Sequence, residues 1–189
     1  MKTLTIDCDA VMKYMERGKT NPFYVWLTHQ FNGAIFLDAG TRAGCSAKDF
    51  SYNPTNLVLT YDNRPVIDAK AHRQPGLMNR VEVLDNVLFK QLDVNTIEPT
   101  WFSKVDVILL DISHNGDDER QFLERIEPHF KGILVMDDIN CTVRYPELYK
   151  FFNSLDREKH LLVGPVGATR GTGVVPYGDW TVEVTNEPS

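Results

Sequence analysis

Acidic residues that follow short apolar runs are the part of this sequence best suited to chemistry. Asp38, Asp62 and Asp111 each end such a run, and a fourth run ends on Asp137. Continuous apolar runs of this length are typical of buried parallel strands, whose carboxyl ends share one edge of a sheet. Because unpaired carboxylates are costly to bury, acids gathered at that edge indicate a polar ligand, a cation or both. The alternative is that each acid caps the helix after its strand.

The turn after the first of these strands carries two glycines. Gly40 and Gly44 stand four residues apart, with Thr41 and Arg42 between them and Ser46 after them. Glycine lets the backbone turn sharply and approach a ligand closely, because no Cβ intervenes. The spacing departs from the G-x-G-x-x-G pattern of dinucleotide-binding proteins, so the sequence does not predict an NAD site. A strand-to-helix turn that binds no ligand is the alternative.

A second group of residues has the composition of a metal site. One strand–helix–strand repeat separates Asp111 from the adjacent acids Asp137 and Asp138, and consecutive strands of such repeats often lie side by side. Three carboxylates without a neighbouring thiolate favour Mg²⁺, Mn²⁺ or Ca²⁺ over zinc. His114 follows Asp111 by three residues and could accept a proton beside that ion, since histidine titrates near neutral pH. Otherwise Asp138 caps a helix, and His114 is a loop residue bonded to the backbone.

Both groups of residues resemble motifs of one enzyme family. The acid, the two glycines and Ser46 resemble the first motif of class I S-adenosylmethionine-dependent methyltransferases. The acid-x-x-His pattern that begins at Asp111, with the later double acid, resembles metal-dependent O-methyltransferases of the macrocin (sugar) type and, more distantly, of the catechol type. The resemblance spans about residues 33–155 and implies that the acids hold Mg²⁺ while a nearby side chain deprotonates the substrate hydroxyl.

The resemblance also implies roles for single residues. Asp62 would hold the cofactor ribose, whose diol can donate two hydrogen bonds to one carboxylate, and the adenine contact would come from the end of the next strand. The implied cofactor-binding residues are Asp38, Gly40, Thr41, Arg42, Gly44, Ser46, Asp62, Asp93 and Asp111. The implied catalytic residues are His114 and Asp111, and the implied metal ligands are Asp111, Asp137 and Asp138.

Strands that alternate with helical patterns would position these residues. Strands are predicted over 34–37, 57–61, 87–91, 105–110, 132–136, 161–163 and 180–184. Before the strand over 87–91, residues 81–84 either form a further strand or end a helix. Helices are predicted as a pair between Val11 and Phe31, a short one from Pro65, and one over 146–155. A further helix is predicted with Asp117 as its cap and Phe122, Ile126 and Phe130 on one face. The last two strands are predicted to form a hairpin. The alternation indicates an α/β, Rossmann-like fold, and the resemblance implies a seven-stranded, mostly parallel sheet with an antiparallel last strand and helices on both faces.

Composition limits the remaining possibilities. A length of 189 residues suits one domain over 1–189, with 1–32 as an N-terminal helical segment. A net charge of −6 without a run of basic residues argues against a nucleic-acid partner. The cysteines Cys8, Cys45 and Cys141 are widely spaced, so neither a disulfide framework nor a zinc knuckle is predicted, and a reducing cytoplasm is the simplest compartment. No apolar run suits a signal peptide or a membrane helix.

These features favour one activity. The expected reaction is methyl transfer from S-adenosylmethionine to a small hydroxylated molecule, in which Mg²⁺ or Mn²⁺ lowers the pKa of the hydroxyl and His114 takes its proton. The alternatives are a non-catalytic domain that binds S-adenosylmethionine or a partner, and methyl transfer without a metal. A small-molecule substrate is expected, a membrane partner is not, and a homo-oligomer is possible. The loop from Gly164 to Gly173 either covers the substrate, with Arg170 on an anionic group, or simply connects two strands.

Overall fold

A computed structural model of the protein describes residues 1–15, 21–42, 44–64, 84–167 and 170–187. Its strands are β1 (Lys2–Asp7), β2 (Ile35–Ala39), β3 (Leu57–Asp62), β4 (Val87–Gln91), β5 (Val107–Leu110), β6 (Ile133–Met136), β7 (His160–Leu162), β8 (Thr172–Pro176) and β9 (Trp180–Thr185). Its α-helices are α1 (Cys8–Met12), α2 (Pro22–Thr28), α3 (Cys45–Phe50), α4 (Asp117–Ile126) and α5 (Pro146–Ser154), with 3₁₀ helices at Val94–Thr96 and Pro99–Lys104. The predicted short helix from Pro65 lies outside the described residues.

A seven-stranded sheet forms the centre of the α/β fold. Its strand order is β4-β3-β2-β5-β6-β8-β7. The strands from β4 to β6 in this order are parallel, whereas β8 is antiparallel to both of its neighbours. The predicted seven-stranded sheet with an antiparallel last strand is therefore confirmed. The carboxyl ends of β2, β3, β4 and β5 meet at one edge, as the apolar runs predicted.

Both faces of this sheet are covered. Phe36 and Leu37 are neighbours on β2, so their side chains point to opposite faces, and both are fully buried in separate apolar clusters. The cluster around Phe36 includes Phe50 from α3, and the cluster around Leu37 includes Phe122 from α4. Burial from both sides explains why the central strands read as continuous apolar runs rather than as alternating ones.

The predicted hairpin at the end of the chain is wrong. Strand β7 pairs with β8, which the sequence analysis did not predict, and β9 pairs in parallel with β1 in a separate two-stranded sheet. Strand β8 contains Gly173 and ends at Pro176, and these residue types weaken a strand pattern. Strand β1 was also missed, although Leu4 and Ile6 are buried in alternation with exposed Thr residues. The segment over 1–32 is therefore not purely helical.

The predicted helices near the cleft are present. Helix α4 begins at Asp117, but Gly116 is its N-cap, so Asp117 occupies the first helical position rather than the cap. Phe122 and Ile126 are buried on one face of α4, and Phe130, which lies beyond its end, is buried in the same cluster. Within the described residues, no helix is long and apolar enough to span a bilayer.

Candidate functional site

A cleft of about 520 Å³ opens where the carboxyl ends of β2, β3, β4 and β5 meet. This volume is in the range of small-molecule binding sites, and open α/β sheets bind ligands at this edge. The cleft is lined by Gly40, Arg42, Tyr61, Asp62, Asn63, Arg64, Leu92, Asp93, Val94, Asn95, Asp111, Ile112, Ser113, His114, Asp118 and Tyr145. The structure therefore brings together the predicted residues Gly40, Arg42, Asp62, Asp93, Asp111 and His114. The predicted residues Asp38, Thr41, Gly44, Ser46, Asp137 and Asp138 are not part of this lining.

Asp38 lies beneath the glycine turn rather than at the cleft surface. Its side chain is fully buried, and its carboxylate accepts hydrogen bonds from Ser46 Oγ at 2.8 Å and Thr60 Oγ1 at 2.7 Å. The Thr60 hydroxyl also contacts Thr41 Oγ1 at 2.5 Å. Asp38 thus ties the start of α3 and the glycine turn to β3.

The pH dependence of stability tests this burial. Burial raises the pKa of Asp38 to about 7 from an ordinary value of 3.8, despite the hydrogen bonds from Thr60 and Ser46. Between these values the folded protein holds a proton that the unfolded chain has released, so the free energy of unfolding should fall as pH rises from about 4 to about 7. The effect is about 1.4 kcal/mol per pKa unit. Urea titrations at several pH values should show that the free energy of unfolding falls less with pH in Asp38→Asn than in the wild-type protein. An equal dependence on pH in the two proteins would contradict this assignment.

The backbone at Gly40 passes very close to the end of β5. Gly40 has a φ of +108°, and a Cβ at this position would lie 1.8 Å from the carbonyl oxygen of Asp111. The glycine is therefore needed for the close approach of two strand ends, and its missing side chain would point at the neighbouring backbone. Gly44 has a φ of 73° and is the N-cap of α3.

Asp62 accepts hydrogen bonds from its own loop and from the glycine turn. Its carboxylate accepts hydrogen bonds from the backbone N–H of Arg42 at 2.9 Å and of Arg64 at 2.9 Å. The Arg64 side chain donates from Nε at 3.0 Å and from Nη2 at 3.1 Å. Burial alone would raise the pKa of Asp62, but these bonds to Arg64 and Arg42 hold it below its usual value. The Asp62 carboxylate is therefore charged, and its two oxygens can accept two parallel hydrogen bonds from one group.

A buried glutamate holds the loop that carries His114. Glu119 is 2% exposed, and its carboxylate accepts hydrogen bonds from the backbone N–H groups of Ser113 at 3.2 Å, His114 at 2.7 Å and Gly116 at 2.7 Å. Glu119 was not predicted as a site residue. A glutamate three residues after a helix N-cap is the signal of a capping box, and Gly116 and Glu119 have that spacing.

The His114 ring is held among acids in a strained backbone conformation. Its φ is +64°, a region that non-glycine residues occupy at a cost and often at functional sites. Its Nε2 atom lies 2.9 Å from Asp111 Oδ1 and 3.7 Å from Asp138 Oδ2. This nitrogen is buried, and its contacts with the two carboxylates are ion pairs when the imidazole is protonated. The Tyr145 ring stacks on His114 at a centroid distance of 4.4 Å.

These contacts determine the charge of His114. Burial disfavours the charged imidazole, but the contact with Asp111 and the nearby charge of Asp138 more than offset it, so the pKa of His114 lies above 6.5. Tyr145 was not predicted as a site residue. Its stacking restricts rotation of the ring, and nothing in the sequence places Tyr145 next to His114.

The two adjacent acids after β6 have different surroundings. Asp138, with a φ of +58°, is 6% exposed and accepts a hydrogen bond from Arg170 Nη1 at 3.0 Å. Burial, with repulsion from Asp111 and Asp138, raises the pKa of Asp137 to about 6. The acids predicted at neighbouring strand ends are therefore close enough to repel one another, and Arg170 offsets part of that charge.

These side chains do not form the predicted metal site in this structure. Within the described residues, no three His, Cys, Asp or Glu side chains are arranged to hold a metal ion. Asp111 is paired with His114, and Asp138 with Arg170 and His114. A divalent ion would have to displace the Arg170 and His114 side chains from the oxygens it needs. The donor set as arranged does not fit a metal, although the acids lie where they were predicted.

Comparison with known proteins identifies the fold. No protein-family model and no curated protein matches the sequence. A methyltransferase from Geobacter sulfurreducens is similar with a TM-score of 0.59 and 17% identity, over 90% of this chain and 87% of that one. An S-adenosylmethionine-dependent O-methyltransferase from Thermotoga maritima has a TM-score of 0.54 and 14% identity, over 96% and 72%. Precorrin-6y C5,15-methyltransferase from Geobacter metallireducens has a TM-score of 0.55 and 9% identity, over 82% and 85%. The chain shares the Rossmann-like fold of these proteins.

Proposed function

We propose that this protein transfers a methyl group from S-adenosylmethionine to a hydroxyl of a small molecule. The observation that carries the proposal is the cleft itself, which combines a ribose-type carboxylate, Asp62, with the Asp111–His114 pair. The cleft lies at the strand ends where this fold accepts ligands. The similarity to solved methyltransferases supports the same assignment, since their fold is the one observed here.

The charge of the cleft suits this cofactor. Its lining carries the acids Asp62, Asp93, Asp111 and Asp118 against the bases Arg42 and Arg64. A polyphosphate cofactor would be repelled by this excess of acids, whereas S-adenosylmethionine carries a sulfonium and an ammonium group that acids attract. The side chains of Leu92 and Val94 supply apolar surface beside Asp93, which suits a purine ring.

The ribose is proposed to bind at Asp62. Its diol presents two donors, and Asp62 already accepts two parallel hydrogen bonds from the Arg64 guanidinium. A bound ribose would replace that guanidinium, while the backbone N–H of Arg42 could remain on the carboxylate. The methionine end of the cofactor would then extend towards Gly40 and Asp111, because these residues line the cleft at the ends of β2 and β5.

The proposed reaction uses His114 as the proton acceptor. The acceptor hydroxyl gives its proton to Nδ1 of neutral His114, because Nε2 is buried against Asp111. The hydroxyl oxygen attacks the sulfonium methyl at the same time. The bond between sulfur and the methyl carbon breaks, its electron pair returns to sulfur, and S-adenosylhomocysteine and a methyl ether are formed. Asp111 stabilises the imidazolium from 2.9 Å. Glu119 and Tyr145 hold the loop and the ring in position.

Experiments can distinguish this function from two others. A non-catalytic domain would bind the cofactor without turnover. A metal-assisted form of the reaction remains a prediction from the sequence. The proposed reaction uses no metal, because Asp111 is paired with His114 and Asp138 with Arg170.

Titration calorimetry with S-adenosylhomocysteine tests the cofactor assignment. We expect one site on the wild-type protein, and we expect Asp62→Asn to weaken binding by about ten- to a hundredfold, since charge-assisted hydrogen bonds to the ribose are lost. Asp118→Asn is the matched control. It removes the same charge from the same cleft, yet its carboxylate accepts a hydrogen bond from Asn115 and should leave affinity within about threefold.

Two results would contradict the assignment. One is equal weakening by Asp62→Asn and Asp118→Asn, which would mean that only the overall charge of the cleft matters. The other is a wild-type protein that binds neither S-adenosylhomocysteine nor S-adenosylmethionine but binds NAD.

A further inference from the structure

Arg170 is held beside the acids by its own backbone. The carbonyl of Arg170 accepts a hydrogen bond from the N–H of Asn140 at 2.6 Å, and the carbonyl of Gly171 accepts one from Ile139 at 3.1 Å. A Cβ on Gly171, whose φ is +77°, would lie 2.6 Å from the Cβ of Asn140. Only glycine permits this close approach. The loop is therefore fixed to the segment that follows Asp138, and Arg170 is not a freely placed surface residue.

The Arg170 side chain and His114 approach the same oxygen atom. Arg170 Nη1 lies 3.0 Å from Asp138 Oδ2, and His114 Nε2 lies 3.7 Å from that atom and 2.9 Å from Asp111 Oδ1. Asp138 is almost fully buried, at 6% exposure. A divalent ion bridging Asp111 and Asp138 would have to occupy the space that these two side chains already fill.

We infer that the Arg170 guanidinium serves as the cation of this site in place of a divalent metal ion, and that the His114 ring fills the remaining space beside Asp138 and Asp111. An arginine remains charged at any accessible pH, and its planar group donates directional hydrogen bonds to a carboxylate. Because Arg170 is tethered to the same chain, its effective concentration at Asp138 is high. A metal in solution therefore competes poorly for the acids. The inference rests on the proposed function for what the site does, but its test needs no turnover.

Mn²⁺ alone is the probe, and electron paramagnetic resonance measures how much of it binds. We expect the wild-type protein to bind no stoichiometric Mn²⁺ at concentrations up to about 1 mM, a range in which built carboxylate sites are commonly filled. Arg170→Gln removes the charge and keeps a polar side chain. This variant should bind Mn²⁺ at least about tenfold more tightly than wild type, because Asp138 is released beside Asp111 and Asp137.

Arg144→Gln is the matched control. Arg144 stacks on the Tyr145 ring, with 5.1 Å between its guanidinium carbon and the ring centroid, so the substitution removes the same charge from a nearby loop without releasing Asp138. It should leave Mn²⁺ binding unchanged. Arg170→Lys keeps the charge and should also resemble wild type. Thermal unfolding of each variant, with calorimetry using S-adenosylhomocysteine, shows whether the fold and the cofactor site are intact.

Each outcome decides the inference. Tight Mn²⁺ binding by the wild-type protein would overturn it and restore the metal site predicted from the sequence. A folded Arg170→Gln protein that binds Mn²⁺ no better than wild type would also overturn it, because the arginine would not be what keeps the metal out. A gain in Arg170→Gln alone supports it. A wild-type protein that does not bind S-adenosylhomocysteine would instead count against the proposed function. Failure of the inference and failure of the proposed function are therefore distinguishable.

Discussion

The Gly40→Ala variant is expected to lose roughly 4 kcal/mol or more of unfolding free energy, a loss typical of severe core disruption. The physical reason is the distance of 1.8 Å between a Cβ at this position and the carbonyl oxygen of Asp111. That oxygen belongs to the backbone, so it cannot be relieved by a rotamer change, and β2 would have to move away from β5. Urea unfolding followed by circular dichroism measures the loss.

Gly33→Ala provides the control for backbone strain. Gly33 also has a positive φ, of 67°, but a Cβ there would meet no atom within 4 Å. Its substitution should cost only the strain of the left-handed conformation, roughly 1–2 kcal/mol. Equal losses for the two variants would contradict the packing role of Gly40. Because the Gly40 variant disturbs the strand edge itself, Asp62→Asn is the cleaner probe of cofactor binding.

Replacing His114 with alanine should abolish most of the methyl transfer. General base catalysis commonly contributes about 10²- to 10⁴-fold to kcat, and we expect a loss in that range. Affinity for S-adenosylhomocysteine should stay within about threefold, since the proton acceptor acts on the substrate. Transfer of radioactive methyl from S-adenosylmethionine to an acceptor found among small phenols and sugars measures the effect. His129→Ala, outside the cleft lining, is the control.

The pH profile gives this prediction a second measurement. Only the neutral imidazole can accept a proton, so kcat/KM should rise with pH as His114 loses its charge. Because Asp111 and Asp138 hold the pKa of His114 above 6.5, the midpoint of the rise should lie above that value. Asp111→Asn should shift the midpoint downward. A profile unchanged by Asp111→Asn, or full activity in His114→Ala, would show that another group takes the proton.

The cleft was predictable because it depends on the strand ends. Asp62 and Asp111 follow apolar runs, and parallel strands with buried faces must bring their carboxyl ends to one edge. The predicted strands that form β2 to β6 are confirmed, and so is the helix predicted between β5 and β6. Burial on both faces leaves a strong local signal in the sequence, and no long-range information is needed to read it.

The pairing of the acids was not predictable in the same way. Asp111, Asp137 and Asp138 were predicted to share an edge of the sheet. The side chains that pair with them come from a distant loop or are oriented by an unusual backbone conformation. Arg170 reaches Asp138 from a loop 32 residues away, and the ring of His114 is turned towards Asp111 by a left-handed backbone that Glu119 holds. Without these pairing side chains, the same three carboxylates would have the composition of a site for a divalent metal ion.

The sequence by itself determined the α/β alternation, the edge at which the cleft lies and the acids that line it, because apolar periodicity and strand ends are local properties. Only the tertiary structure decided that β9 joins β1 rather than β7 and that Asp38 lies beneath the turn. It also decided that Arg170 pairs with Asp138 and His114 with Asp111. Strand pairing and charge pairing depend on which distant segments meet in space, and packing of the whole chain sets those contacts.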